Sequence, residues 1–263
     1  MDEVLINLQP HMTPDSRVTE IEPGTWLLEI PTGPGGRYRL AQLDDYSQLP
    51  RRDFPWKAPL RISLQARTYA ETSPGTWGFG LWNDPFSMAI LGGRGVFRFP
   101  ALPNAAWFFF ASAPNYLSLD DDLPHQGNLA ATFQSPKWVS FMLPLGVLGL
   151  PFLAIPASAR LLRRLGRKFI RQAAVDLPLD PTDWHSYLVE WKEDGVNFSV
   201  DGDFVMQTPI SPLGPLGLVL WVDNQYVTLP PDGHFRYGTL ANTEETRVEI
   251  RNMIVSRPSG SAG

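Results

Sequence analysis

Residues 183–205 read DWHSYLVEWKEDGVNFSVDGDFV, and the alternation within them decides the fold. Tyr187, Val189 and Trp191 alternate with Ser186, Leu188 and Glu190, the period of a strand with one face buried. Lys192-Glu193-Asp194-Gly195 then turns the chain into Val196, Phe198 and Val200, and Asp201-Gly202 turns it again. Two successive hairpins in so short a span predict an antiparallel sheet.

The same signals recur on both sides. Strands are expected over 24–30 (GTWLLEI) and 36–43 (GRYRLAQL), separated by a turn at 31–35. Residues 50–59 read as a loop holding Trp56, and 60–69 (LRISLQARTY) alternate as a half-buried strand does. Further strands are expected at 76–84 (TWGFGLWND), 105–111 (AAWFFFA), 216–222 (LGLVLWV) and 246–255 (TRVEIRNMIV). The 22 glycines and 26 prolines are dispersed between these short aromatic-rich runs, which suits many strands and turns. The 263 residues can bury one large core, so a single all-β sandwich is expected over 1–258, with 259–263 (SGSAG) as a flexible tail.

Composition excludes several classes. With no cysteine there are neither disulfides nor thiolate metal ligands, so the core alone must hold the fold. A net charge of −5 and a pI near 5.4 oppose nucleic-acid binding, which needs a clustered positive field. The opening MDEVLINLQPHMTPDSR carries acids where an export signal carries bases, so a cytoplasmic location, or one at the periphery of a membrane, is expected.

The order W-H-x-Y-x-x-x-W-x-x-D-x-V-x-F-x-V-D-G-x-x-V across 184–205 resembles the concanavalin A-like lectin and glucanase superfamily. Within it the chain is most similar to the laminarinase-type glycoside hydrolases of family 16, over about residues 24–255 with one insertion. The run at 76–84 resembles the family's G-x-W-P-A-F-W strand, which crosses the concave sheet beside the substrate cleft. The resemblance implies that the next strand carries E-x-D-x-E, because a retaining glycosidase needs two carboxyl groups about 5–5.5 Å apart and alternation puts both on one face. Here that stretch is Ala106-Trp107-Phe108-Phe109-Phe110-Ala111-Ser112, without a carboxylate on either face. The next acids, Asp120, Asp121 and Asp122, are consecutive. The resemblance thus implies an all-β, antiparallel jelly-roll sandwich of the concanavalin A-like kind, here without the standard retaining machinery.

Candidate site residues come from this comparison and from parity. Trp77, Trp82, Trp107 and Phe109 are the aromatic platforms on which the C–H face of a pyranose would stack, and Asn83 and Asn224 are polar partners. Trp77, Phe79, Leu81 and Asn83 share one face of their strand and Trp82 and Asp84 the other, but parity alone does not say which face is the cleft. Glycines 78 and 80 would admit a close approach to the backbone. Candidate acid/base groups are Asp84, Asp223, His125, Tyr116 and Tyr226, although Asn and Asp at strand ends also cap turns. His11, His125, His185 and His234 lack zinc spacing; the acids at 120–122 form a solvated turn, with a structural calcium the lesser option and no other cofactor expected.

The insertion spans 138–176. Residues 138–157 (WVSFMLPLGVLGLPFLAIPA) carry no charge, but Pro144, Pro151 and Pro156 interrupt any membrane-spanning helix. Beyond them Leu161, Leu162, Leu165, Phe169 and Ala173 recur at helical spacing, with Arg160, Arg163, Arg164, Arg167, Lys168 and Arg171 on the remaining surface. Three roles are open to it: a cover whose leucines complete the core, an anchor on an anionic membrane surface, or a lid over the cleft. Two ligand classes are likewise open, a saccharide or glycoconjugate on the aromatic platforms, or an apolar molecule such as a lipid, isoprenoid or polyketide beneath the insertion, which such a protein would carry or transform. A membrane-surface protein that binds a protein partner is a third reading, and it predicts an exposed apolar patch.

Overall fold

The computed structural model describes residues 2–85, 96–121, 125–140 and 154–257. Two antiparallel sheets face each other across an apolar core, in the all-β sandwich that the alternation predicts. The eight-stranded sheet runs β13 (Asp203–Thr208), β12 (Gly195–Val200), β11 (His185–Lys192), β6 (Leu60–Thr68), β17 (Thr246–Arg257), β4 (Thr25–Ile30) and β3 (Arg17–Glu22), with β1 (Asp2–Glu3) also paired to β17. The seven-stranded sheet runs β10 (Arg171–Asp176), β9 (Gly127–Gln134), β8 (Ala105–Ala111), β7 (Thr76–Trp82), β14 (Gly217–Asp223), β5 (Leu40–Asp44) and β2 (Gln9–Met12). A ribbon of β15 (Gln225–Thr228) and β16 (Arg236–Thr239) follows β14.

The hairpins at 183–205 form in the expected register, with Tyr187 opposite Val200 and Trp191 opposite Val196. Asp201 fastens them: its carboxylate accepts from the Ser186 backbone N–H at 2.7 Å and meets His185 Nδ1 at 2.6 Å, while His185 Nε2 lies 2.9 Å from the Asp180 carbonyl. Burial works to lower the His185 pKa, but these hydrogen bonds and the Asp201 charge outweigh it and raise the imidazole above its ordinary value. In β6 the alternation is strict: Leu60, Ile62, Leu64 and Ala66 enter the core and Arg61, Ser63, Gln65 and Arg67 turn away.

Aromatic rings join the sheets. Phe108 of β8 meets Tyr187 of β11 at 4.9 Å and Phe198 of β12 at 5.2 Å and 90°, and Phe79 of β7 meets the same Tyr187 at 4.9 Å. Edge-to-face pairs add about 0.5–1.5 kcal/mol each beyond burial. A Phe108→Ala variant is therefore expected to lose about 3–5 kcal/mol of stability. Urea denaturation reads this directly, and a loss below about 1 kcal/mol would contradict the central place given to this ring.

Two boundaries differ from the sequence expectation. Residues 36–39 stay outside the sheet because their polar groups bond locally: the Arg39 N–H donates to Asn224 Oδ1 and its guanidinium to the carbonyls of Pro34 and Arg37. In the insertion, helix α1 covers Pro156–Phe169, and Arg171–Asp176, expected to continue it, instead forms β10, paired in register with β9 from Arg171–Gln134 to Asp176–Leu129. The exposed edge of β9 offers a full ladder of backbone partners, which outweighs the helical spacing of Phe169 and Ala173. Most of the apolar run at 138–157 and the tail at 259–263 lie outside the described residues.

Candidate functional site

The core claims one side of each central strand of the seven-stranded sheet. From β7 it takes Trp77, Phe79 and Leu81, from β8 Ala106, Phe108 and Phe110, and from β14 Leu218, Leu220 and Val222. The outer face is then left with Trp82, with Trp107 and Phe109, and with Trp221 and Asp223. This resolves the parity question: Trp82 faces the cleft, and Trp77, expected as a platform, is a core residue stacked on Phe110 at 6.1 Å and 14°.

Trp82, Trp107 and Trp221 form one cluster. Trp107 lies 5.9 Å from Trp82 and 5.5 Å from Trp221, and Trp82 and Trp221 are nearly parallel at 6.5 Å and 7°. Phe109 and Phe133 extend it, 5.6 and 6.1 Å from Trp107. The glycines of β7 make room. A Cβ at Gly78 would stand 2.8 Å from the Trp221 ring, and one at Gly80, whose φ is +150°, 2.6 Å from Trp107 Cβ. What approaches the glycine backbone is thus the protein's own tryptophans, which lie across the strand.

These rings line a cleft of about 230 Å³. Leu40, Pro85, Pro103, Leu117 and Val227 complete its apolar walls, and Tyr38, Gln42, Thr76, Asn115, Gln225 and Tyr226 supply its neutral polar groups. Among the described lining residues Asp223 is the one charged group. Thr76 Oγ1 donates to Asp223 Oδ1 at 2.8 Å, the Tyr38 hydroxyl reaches Oδ2 at 3.5 Å, and the Trp221 indole N–H donates to Thr76 Oγ1 at 2.9 Å. Burial pushes the Asp223 pKa up to about 7, against the opposing hydrogen bonds from Thr76, Gln225 and Tyr38. The carboxyl group therefore changes charge in the neutral range, as a binding or acid/base group in a cleft does.

The sign of its effect on stability follows from linkage. A carboxyl group whose folded pKa lies above its unfolded value of about 3.9 favours the native state at low pH and loses that advantage as pH rises toward 7. Asp45, raised to about 7 chiefly by burial, acts in the same direction. An Asp223→Asn variant is expected to melt close to wild type at pH 4 and above it at pH 8. A difference independent of pH would contradict the buried carboxylate described here.

The other polar candidates hold the frame. Asn83 Nδ2 donates to the Leu102 carbonyl at 2.9 Å and its Oδ1 accepts from the Asn104 N–H at 3.0 Å. Asn224 accepts from the Arg39 N–H and donates to the carbonyls of Arg37 and Leu240. Asp84, fully buried with φ +48°, pairs with Arg98 at 2.8 Å. All three serve turns rather than the cleft, which corrects the roles expected for them. His125 is buried with its pKa lowered by that burial, and Tyr116 donates from its hydroxyl to the carbonyls of Asp120 and Asp121; neither lines the cleft, whereas Tyr226 does.

The acidic turn and the basic helix meet each other. Arg163 is only 4% exposed and binds Asp121 and the carbonyls of Ser118, Asp120 and Leu229, while Arg167 also pairs with Asp121. Asp121 is thus committed to guanidinium partners; Asp122 lies outside the described residues, and among those described no group of three or more metal-ligating side chains gathers. The helix is also turned the other way from what the first of the three open roles, a cover with its leucines in the core, requires. Leu161, Leu162 and Leu165 are 53, 42 and 41% exposed, and Ala159, Arg163 and Gly166 face the protein. Arg163 is therefore no membrane contact. Arg160 bonds to the Asp232 carbonyl and Arg171 to Gln134, while Arg164 and Lys168 point to solvent. Among the described residues no helix is long and apolar enough to cross a membrane.

No family model and no curated protein matches the chain. Among solved structures it is similar to the GlcNAcα1-4Gal-releasing endo-β-galactosidase from Clostridium perfringens, at 12% identity and a TM-score of 0.47 over 97% of this chain and 60% of that one. A sialidase matches at 10% identity and a TM-score of 0.47 over 96% of this chain and 17% of that one. The laminarinase from Flavobacterium sp. UMI-01 matches at 10% identity and a TM-score of 0.44, over 93% and 82%. The chain thus spans less than two thirds of the length of the first two. The fold itself is a two-sheet antiparallel β-sandwich.

Proposed function

We propose that the chain is a ligand-binding protein that holds a saccharide or glycoconjugate in the tryptophan cleft and is not a retaining glycosidase. The observation that carries this reading is the outer face of β8. Its four side chains are Ala105, Trp107, Phe109 and Ala111, so flat rings stand where alternating carboxylates would. A retaining mechanism needs two carboxyl groups about 5–5.5 Å apart, and the described lining offers Asp223 alone. Indole faces suit the C–H side of a sugar ring, and Asp223, Tyr38 and Gln225 at one end suit its hydroxyls.

Calorimetric titration with neutral gluco- and galacto-oligosaccharides, alongside an assay for released reducing ends, tests this. Saturable binding without hydrolysis is expected; hydrolysis abolished by Asp223→Asn would replace the reading with a catalytic one. A second reading, an apolar ligand such as a steroid or long-chain alcohol, is favoured by walls made mostly of carbon and would be selected by binding of those molecules alone. The exposed leucines of α1 beside Arg164 and Lys168 extend it to a membrane surface. Flotation of the protein with anionic liposomes that is lost at high salt is its expected sign.

A further inference from the structure

We infer that the cleft is built for an organic cation, with an ammonium group seated against Trp82, Trp107 and Trp221 and Asp223 as its counter-charge. This rests on the reading of the cleft as a ligand site and names the chemistry of what enters it. Three observations carry it. The described lining contains no lysine, arginine or histidine, so among the described residues no cation shares the cleft with Asp223. Asp223 Oδ1 is well met by the Thr76 hydroxyl at 2.8 Å, whereas the side-chain donor at Oδ2 is the Tyr38 hydroxyl at 3.5 Å, a distance at which a hydrogen bond is weak. That oxygen keeps acceptor capacity for a ligand donor. The wall also presents the rings of Trp82, Trp107, Trp221, Phe109 and Phe133. Indole presents the most negative ring face among side chains, and a cation within about 6 Å of such rings is attracted most strongly where water is excluded.

A neutral guest leaves this carboxylate to stay protonated or to carry an uncompensated charge. A cationic guest satisfies it and keeps it ionised. The titratable group that meets Asp223 is Tyr38, from the segment entering β5, and Tyr226 of the β15 ribbon lines the same cleft; Thr76 of β7 and Gln225 add neutral donors. Arg39, next to Tyr38, turns its guanidinium to the carbonyls of Pro34 and Arg37. Burial raises the Asp223 pKa to about 7, so affinity for a cation rises as pH increases through neutrality and falls below it. Amino sugars and lipophilic amines share this chemistry.

The test pairs each permanent cation with a neutral counterpart: 2-deoxy-2-trimethylammonio-D-glucose with D-glucose, and choline with 3,3-dimethylbutan-1-ol, titrated into the full chain at pH 6 and pH 8 alongside neutral oligosaccharides. At least one cation is expected to bind about tenfold or more tightly than its counterpart at pH 8. That preference should shrink at pH 6 and disappear in Asp223→Asn, whose melting temperature shows that it is folded. Preference within the first pair identifies an amino sugar, and preference within the second alone a lipophilic amine. Neutral counterparts or neutral oligosaccharides that bind as tightly as the cations overturn the inference and leave the cleft reading standing. Absence of binding by every compound overturns both.

Discussion

Replacing Arg98 by methionine is expected to destabilise the protein by about 3–5 kcal/mol, because it strands a buried carboxylate. Arg98 Nη1 lies 2.8 Å from Asp84 Oδ2, and both side chains are almost completely enclosed, at 4 and 0% exposure. Its other donors satisfy the carbonyls of Tyr46, Ser47 and Leu49, and its guanidinium lies 5.1 Å from the Phe54 ring centre. The same residue fastens the segment that carries Pro103 against Pro85, two walls of the cleft, where the Ala101 N–H also donates to the Pro85 carbonyl at 2.9 Å. Urea denaturation of Arg98→Met and of Arg98→Met/Asp84→Asn measures the effect. The double variant should recover much of the loss, since asparagine removes the charge and still tolerates the left-handed backbone at this position. A double variant no more stable than the single one would mean that the hydrogen bonds to carbonyls, rather than the ion pair, account for the cost.

Trp107→Ala is expected to weaken ligand binding roughly thirtyfold or more, the effect of removing an aromatic anchor at the centre of a site, worth about 2 kcal/mol. Trp107 is that centre, since its ring neighbours Trp82, Trp221, Phe109 and Phe133. The companion variant is Trp77→Phe, five residues before Trp82 on the same strand but facing the core. It should lower the melting temperature and leave affinity unchanged. Calorimetry on both separates the faces. Equal losses of affinity would show that the two sides of β7 are not distinct in the way the packing indicates.

The sandwich is legible in the sequence wherever one side of a strand is polar. Arg61, Ser63, Gln65 and Arg67 leave no doubt about the orientation of β6. The cleft is harder to read because TWGFGLW, AAWFFFA and LGLVLWV are apolar on both sides, so parity sorts the residues into two sets without saying which set is buried. Trp82, Trp107, Phe109, Asp223 and Tyr226, all named from the sequence, line one cleft, and Trp221 carried an unused signal: it has the parity of Asp223, two residues on. Asn83, Asp84 and Asn224 resembled ligand groups because they end strands beside tryptophans, yet each meets backbone groups or Arg98 from segments distant in sequence. The helix misled for a related reason. An arginine at 163 reads as solvent-exposed until the carbonyls of 118, 120 and 229 converge on it, and burying it turns the leucines outward.

The central claim is that the outer face of the seven-stranded sheet is the binding face. Its most direct test is the set of indole N–H resonances from the nine tryptophans, followed by NMR during titration with the tightest-binding compound among those above and assigned by single Trp→Phe variants. Shifts concentrated at Trp82, Trp107 and Trp221, with Trp77 and Trp191 unmoved, are predicted. Shifts concentrated instead at Trp184, which lies beside Arg67 and Arg251 on the other sheet, would contradict the account.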